Sequence, residues 1–526
     1  MKLTGQQHRQ LREAIQSAFV DIADLKIMLR EEMDLSLNNI ASGENDNQIV
    51  SNLINQLEAQ NRIVEFLEAA LKSVPKNQEL LNYQQQFIQE SKSPPTEPIT
   101  NIPEIWFQDL RIITINSSII TLICIIIKFL GILQPYELWA FDRLIQIRGS
   151  LQPDKADHRI LIVGVTPEER EEWDKVEKPY RASLPDKVIL ELLQKLDEYN
   201  PKTIGISISR PFNATEDELA KKLSNDSRLF AVCKVPVENG NKVAPPPEVP
   251  ENRLGFSDFI QDPDQVLRRY LFQMNLKLTP DDKKRLGIKE DENFCQANYA
   301  LSFQLALHYL GEKAQFTEKG FYKIRDVVFK PLDGYAGPYQ RNIDLGGHQI
   351  ILDYHNFHGF FENSPRNVAE QLTLNQVIQD RVATEDIQRY QNRIILIGII
   401  TRGQENYWST PLGGREVPGV FIHAQMVSQI LRAVEDGEPL LWYWPQWVEI
   451  LWIWVWATVG GTIVWCNHQP KYMLVMEIAG IISVGNICIF VFFLFNGWLP
   501  SIPPIIALIF TALIIFYTQN FTVKSK

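Results

Sequence analysis

The chain contains 526 residues, of which 45% are hydrophobic and 22% are charged, and its formal net charge is −11. At roughly 150 residues per domain, this length is enough for several domains. The acidic balance excludes the basic footprint of nucleic-acid-binding proteins, so we expect no nucleic-acid partner. Residues 1–19 are polar and lack the apolar core of a cleavable signal peptide.

Residues 1–92 are predicted to form an all-α helical bundle. Thr4 is a plausible N-cap for the first helix, and Pro75 ends the last apolar stripe. Four apolar stripes recur at helical spacing and are too apolar to stay exposed. Nothing in the segment has catalytic spacing. Its charged residues are expected to form a solvated face or, as the alternative, a docking surface for another protein.

This segment resembles the effector-associated domain of the first type, a death-domain-like adaptor of bacterial conflict systems. The resemblance covers nearly the whole segment in register and implies homotypic docking to a cytoplasmic protein that carries a cognate domain. The matching residues are Leu3-Thr4-Gly5, Leu11-Arg12-Glu13-Ala14, Ser17-Ala18-Phe19, Asp24-Leu25, Met28-Leu29, Ile40-Ala41, Val50, Leu53-Ile54, Glu58-Ala59-Gln60 and Leu71.

A linker at residues 93–111 precedes the first of four predicted transmembrane helices. Its Pro- and Ser-rich part, residues 93–105, is typical of extended chain. Residues 112–134 then form an apolar run, and about 20 such residues cross the ~30 Å hydrocarbon core of a bilayer. The one charge in the run, Lys128, is expected to extend toward the outer membrane surface. This helix would act as an uncleaved signal anchor.

Residues 135–441 are predicted to form an α/β domain. An amphipathic helix over 136–149 comes first, and short β-branched runs then alternate with helical patterns, which is typical of a parallel sheet. The strands are predicted at 159–165, 202–208, 229–235, 350–354 and 393–399.

Several short motifs in this middle part carry a family resemblance. They are Tyr136-Glu137-Leu138, Phe141-Asp142-Arg143-Leu144, Arg148-Gly149, Leu254 to Asp258, Asp262-Pro263-Asp264, Arg268-Arg269, Ile395 to Gly398, Thr410-Pro411-Leu412, Pro418-Gly419-Val420 and Ile422 to Gln425. In these motifs and their order the domain resembles the CHASE domain of the second type, a bacterial extracytoplasmic sensor domain. The resemblance implies an unknown extracytoplasmic ligand. Ser207 and Asn406 stand where the family often has acidic residues, which implies that any ligand of those acids binds differently here or not at all.

Two features of this domain are candidate ligand-binding sites. The first is a dense charged cluster, which forms a pocket rim, a carboxylate–guanidinium lock, or a solvent-facing turn. The second is His423, which lines a pocket or simply packs in the core. The candidate residues are Asp258, Asp262, Asp264, Arg268, Arg269 and His423.

No metal or cofactor site and no catalytic residue is predicted. The five cysteines lack ligand spacing. Cys233 and Cys295 would pair in an extracytoplasmic domain, or both stay reduced. Phosphate-loop and nucleophile-elbow motifs are missing from the sequence.

Three further transmembrane helices are predicted at 445–466, 472–495 and 500–519. Arg111, Lys471 and the two lysines of the C-terminal tail agree with an inner-membrane orientation in which both termini are cytoplasmic. Residues 135–441 are then extracytoplasmic. Within the spans, Glu477 is explained by interfacial solvation or by a signalling role.

The sequence therefore predicts a multi-domain membrane protein with an all-α adaptor, an α/β extracytoplasmic sensor domain and four transmembrane helices, one before and three after the sensor. Its expected function is to couple sensing outside the membrane to homotypic docking inside, in bacterial signalling or conflict systems, with homo-oligomers possible. The alternative is a membrane enzyme or transporter. Because no catalytic set is visible in the sequence, we expect that the protein is not an enzyme.

Overall fold

The computed structural model consists of two compact units, residues 1–108 and 109–526, and each is treated by itself. It describes residues 3–41, 43, 45–84, 102–151, 155–176, 184–237, 242–275, 278–290, 292–332, 334, 337, 339, 344, 346–355, 368–400, 407–413, 416–467 and 469–524.

The first unit is a helical bundle, as predicted. Its first helix begins with a capping box, in which the Thr4 side chain accepts from the Gln7 amide and the Gln7 side chain bonds back to Thr4. Leu11, Leu29 and Leu53 of the predicted apolar stripes are fully buried in the core. The fourth predicted stripe is wrong at Val64, which is 50% exposed, because the helix Ile63–Ser73 buries Phe66 instead. The helices are α1 (Gly5–Ala18), α2 (Ile22–Met33), α3 (Leu37–Ile40), α4 (Asp46–Ala59) and α5 (Ile63–Ser73).

The second unit is built on a six-stranded parallel sheet. The strands of this sheet are β1 (Ile160–Val165), β2 (Thr203–Ile206), β3 (Leu229–Cys233), β4 (Leu254–Phe256), β10 (Glu370–Thr373) and β11 (Ile394–Ile399). They lie in the order β10-β1-β11-β2-β3-β4. Strand β1, between β10 and β11, is buried along its whole length, as expected for a parallel sheet covered on both faces.

One predicted strand belongs elsewhere. Residues 350–354 were expected to extend the parallel sheet, but residues 348–351 form β9, which pairs antiparallel with β5. A short apolar run does not specify which strand it pairs with. In the structure, β9 pairs with β5 and places Ile351 opposite Arg269. The remaining strands are β5 (Arg269–Gln273), β6 (Gln315–Phe316), β7 (Tyr322–Ile324), β8 (Val327–Phe329), β9 (His348–Ile351), β12 (Tyr407–Trp408), β13 (Val417–Pro418), β14 (Trp442–Tyr443) and β15 (Gly497–Trp498).

Four helices of the second unit are long and apolar enough to cross a membrane, over Leu110–Phe129, Gln446–Cys466, Pro470–Phe495 and Ile502–Gln519. The helices of this unit are α6 (Ile102–Phe129), α7 (Gln134–Leu151), α8 (Pro167–Val176), α9 (Asp186–Leu196), α10 (Asp217–Asn225), α11 (Pro280–Arg285), α12 (Leu301–Leu310), α13 (Leu374–Ile378), α14 (Thr384–Arg389), α15 (Gly419–Leu431), α16 (Gln446–Cys466), α17 (Pro470–Phe495) and α18 (Ile502–Lys524).

The first apolar helix differs from its prediction at both ends. It begins at Ile102, so the end of the predicted linker is helical, and Pro103 suits a first helical turn. The rest of the linker, up to residue 101, lies outside the described residues. The helix ends at Phe129 and not at residue 134, because Gly131 adopts a φ of 77° and the Ile132 amide donates to the Ile127 carbonyl.

Candidate functional site

The predicted charged cluster is a buried network centred on Arg268. Its guanidinium binds Asp142 of α7 at 2.7 and 2.8 Å, Asp264 at 2.9 and 2.7 Å, and Asp262 at 2.9 Å. Arg268 is 1% exposed and Asp262 is 3% exposed, whereas the Asp264 side chain lies in a turn and is 42% exposed, so among these three residues the solvent-facing interpretation holds for Asp264 alone. Burial by itself raises the pKa of Asp264, but the hydrogen bonds and charge of Arg268 lower that pKa below its ordinary range.

Arg269 completes this network from the neighbouring position. Its guanidinium donates to Asp262 at 2.7 Å and to the Gln349 side chain at 2.8 Å. The Tyr339 hydroxyl donates to the same Asp262 at 2.9 Å. Asp262 is therefore saturated by two guanidiniums and one hydroxyl. This geometry supports a lock that ties α7 to the α/β domain, and ligand binding by these residues stays a prediction.

Asp258, which the sequence placed in the same charged cluster, lies apart from this lock and accepts from a different element. Asp258 and His423 both lie near the carboxyl edge of the parallel sheet. The Asp258 carboxylate accepts from the Val235 amide at 3.0 Å, and burial raises its pKa to about 6. His423, on α15, packs its ring 4.8 Å from that of Phe259, and burial lowers its pKa to about 3. Neither His423 ring nitrogen has a hydrogen-bond partner among the described residues. The cavity beside it, which Ser207 also lines, holds only about 20 Å³.

A second polar cluster lies between the α/β domain and the loop that joins α17 to α18. Arg148, at the end of α7, forms an ion pair with Asp353 and donates to the Asn496 side chain at 2.9 Å. Asn496 in turn donates to Asp353 at 3.3 Å and to the Pro439 carbonyl at 2.8 Å. Burial opposes the charge of Asp353, but nearby cations, Arg148 first, hold its pKa well below its usual range.

Aromatic packing closes the same cluster. Trp498 is 1% exposed and packs on Phe141 of α7 with ring centroids 4.2 Å apart. Phe492 of α17 contacts Phe141 edge-on at 6.0 Å. The loop is also bound through its backbone, since β15 pairs with β14, which begins at Trp442. We call the contacts of Arg148, Asp353, Asn496, Phe141 and Trp498 the junction.

A side chain of α7 also caps the N-terminus of α18. The Glu137 carboxylate accepts the backbone N–H of Ser501 at 3.0 Å and of Ile502 at 2.5 Å. It thereby satisfies two of the free amides at the start of this helix and complements the helix dipole. Glu137 is buried, so the bond is shielded from solvent. Glu137 matches the resemblance noted in the sequence, but its role follows only from the fold.

Lys128, which the sequence predicts to extend toward the outer membrane surface, has a buried partner in the structure. It forms a buried ion pair with Glu449 of α16, 321 residues along the chain. A buried charge is stabilised by a partner of opposite sign, and the apolar helices provide this partner. Sequence spacing cannot predict this ion pair, because Glu449 lies at the start of a different helix.

Cys233 and Cys295, whose state the sequence leaves open, form a disulfide. In the part of the chain that the structure describes, no group of three or more His, Cys, Asp or Glu side chains is placed to hold a metal ion.

The comparison with family profiles decides the affiliation. The profile of the CHASE2 domain matches residues 119–462, which is more than half of the chain. The chain belongs to the CHASE2 domain family. The match runs from within α6 to within α16, so the matched region includes all of α7 and parts of the apolar helices α6 and α16.

A second profile, effector-associated domain 1, matches residues 1–87. Both resemblances predicted from the sequence are therefore confirmed, and the combination is that of a signalling-type sensor protein. No curated protein and no solved structure matched the chain. Sequence reasoning gave the Arg268 lock as one of several alternatives, and it missed Arg148, Asp353 and Trp498 as parts of one site.

Proposed function

We propose that this protein is a membrane-anchored sensor that couples its CHASE2 domain, outside the inner membrane, to docking by its effector-associated domain, inside. The signal would pass from the CHASE2 domain through the junction to the apolar helices. A partner with a cognate effector-associated domain would then be recruited, in bacterial signalling or conflict systems. Lack of catalysis and homo-oligomer formation stay predictions.

Two observations support the proposed orientation. The disulfide between Cys233 and Cys295 suits an oxidising compartment such as the periplasm. Arg111 and Lys471 flank the apolar helices at the ends assigned to the cytoplasm. The bilayer is then the partner of the four apolar helices, and Trp442 lies where an interfacial aromatic residue is expected.

The junction is the observation that carries the proposal. It joins α7, the loop between α17 and α18, and the strand β9 region in one set of buried contacts. A shift of α7 against the α/β sheet of the CHASE2 domain would break the bonds of Arg148 and remove the Glu137 cap from α18. Packed interfaces of this kind have discrete arrangements and do not deform continuously, which suits a two-state signal.

Docking can be tested with residues 1–92, which carry their own core. We expect this fragment, used as bait, to enrich proteins that contain an effector-associated domain of the same type. As a matched pair, Glu31→Lys reverses an exposed charge on α2, whereas Leu53→Asp disrupts the core. Leu53→Asp should abolish enrichment, and Glu31→Lys should reduce it if the charged face docks. Recovery of only unrelated abundant proteins would reject homotypic docking.

A further inference from the structure

A cavity of about 200 Å³ lies beside the junction, and none of the features described above uses it. One wall is formed by Val328, Lys330 and Leu332, which lie beside β9. Another wall is the segment 440–443, which includes β14. The cavity therefore separates part of the CHASE2 domain from the strand that holds the loop between α17 and α18.

The cavity is connected to the junction through one side chain. Gln429 lines the cavity, donates to the Ile351 carbonyl at 3.0 Å and accepts from the Asp353 amide at 3.3 Å. Asp353 is the carboxylate that pairs with Arg148. On another side, Trp442 lines the cavity and donates its indole N–H to the Phe495 carbonyl at 2.6 Å. An occupant would thus contact residues bonded to both halves of the junction.

The side chains that line the cavity indicate which kind of ligand it would bind. Among the described residues that line the cavity, six have aliphatic side chains, none is a carboxylate, and Lys330 supplies the one cation. Among the described residues, Lys330 forms no salt bridge, and it is exposed at the rim. A cavity whose described lining is mainly apolar and holds a single cation suits a molecule with a hydrocarbon chain and one anionic head.

The volume of the cavity limits the size of the ligand that it can hold. Its volume is below the ~300–1,000 Å³ that is usual for sites of drug-sized ligands. It cannot enclose a two-chain lipid, but it suits a short single chain. Trp442 lies four residues before the start of α16 and therefore near the expected bilayer surface. A single-chain molecule can thus enter the cavity from the lipid phase.

We propose that this cavity binds a short-chain carboxylic amphiphile, with its carboxylate on Lys330 and its chain among the aliphatic side chains. The proposal deepens the sensor role proposed above and rests on it, since it assigns a ligand class to the CHASE2 domain. Occupancy would alter the position of segment 440–443 against β9, and thereby the junction.

The test uses the full chain in lipid nanodiscs and 8,8,8-trifluorooctanoate, followed by fluorine NMR. We expect a saturable protein-bound signal. Val328→Trp fills the cavity from a residue that is 40% exposed, so the fold should tolerate it while the bound signal disappears. Lys330→Met should weaken binding about tenfold, because it removes a charge-assisted hydrogen bond. Lys323→Met, on β7 and outside the lining, is the matched control and should bind like the wild type.

8,8,8-Trifluorooctanol separates the two parts of the proposal, because it keeps the chain and loses the charge. We expect it to bind about tenfold more weakly than the acid. Equal binding by the alcohol, or an unchanged affinity in Lys330→Met, would overturn the carboxylate assignment. A bound signal that persists in Val328→Trp would overturn the site. These outcomes are independent of docking, which is measured with a partner protein and no amphiphile.

Discussion

Replacing Arg268 by methionine is expected to destabilise the CHASE2 domain by about 3–5 kcal/mol, the usual cost of removing one partner from a buried ion network. Asp142 and Asp264 would lose their bidentate partner, and Asp262 would keep only Arg269 and Tyr339. For a domain of this size, the melting temperature should fall by roughly 10 °C. Thermal unfolding of the full chain, followed by tryptophan fluorescence, measures it.

Two further variants show whether unpaired charge is the cause. Arg285→Met removes an exposed arginine that pairs with Asp282, and it should shift the melting temperature little. Adding Asp142→Asn and Asp264→Asn to Arg268→Met leaves a one-to-one pair of Asp262 and Arg269. This triple variant should regain much of the lost stability. If Arg268→Met melts no lower than Arg285→Met, the cluster is not a structural lock.

Acid is expected to destabilise the domain through His423 before most carboxylates titrate. The folded-state pKa of His423 is about 3, whereas that of an unfolded histidine is about 6.5. Above pH 6.5 both states are neutral and the stability is complete. As the pH falls further, only the unfolded chain takes up the proton, so the free energy of unfolding decreases by up to about 1.4 kcal/mol per pH unit. By pH 5 the loss is about 2 kcal/mol.

His423→Leu isolates this contribution. Leucine keeps an apolar side chain of similar size against Phe259 and cannot titrate, and neither ring nitrogen of His423 has a partner among the described residues to lose. The variant should match the wild type at pH 7.5 and melt about 6 °C above it at pH 5. Parallel pH profiles for the two proteins would show that His423 is solvated or partnered in solution.

The sequence predicts where the helices and strands of this fold lie better than it predicts which strands pair. Buried β-branched runs identify β1 and β11 because each is buried on both faces, and the apolar spans follow from length alone. The pairing of 348–351 with β5 depends on which strand edge is free, and no local pattern encodes that. Short strands such as β4 and β10 lack a periodic signal and were missed.

In the candidate site, too, the sequence reveals residues that are close along the chain and misses those that only the fold brings together. The Asp262 to Arg269 run is dense enough to be noticed, because its members are close in sequence. The junction joins Arg148, Asp353 and Asn496, which are separated by 205 and 143 residues along the chain. Each residue is unremarkable by itself, and only the tertiary structure brings them together. The partner of Lys128 was missed for the same reason, because Glu449 is remote in sequence.

The central claim is that the CHASE2 domain and the effector-associated domain lie on opposite sides of the inner membrane. Two cysteine variants test it in spheroplasts, with the exposed Cys466 replaced by serine. Asp326→Cys places a thiol on a fully exposed position of the CHASE2 domain, and Glu31→Cys places one on α2. With a membrane-impermeant maleimide, Asp326→Cys should react in intact spheroplasts and Glu31→Cys only after lysis. Reaction of Glu31→Cys in intact spheroplasts, or protection of Asp326→Cys until lysis, would contradict the account.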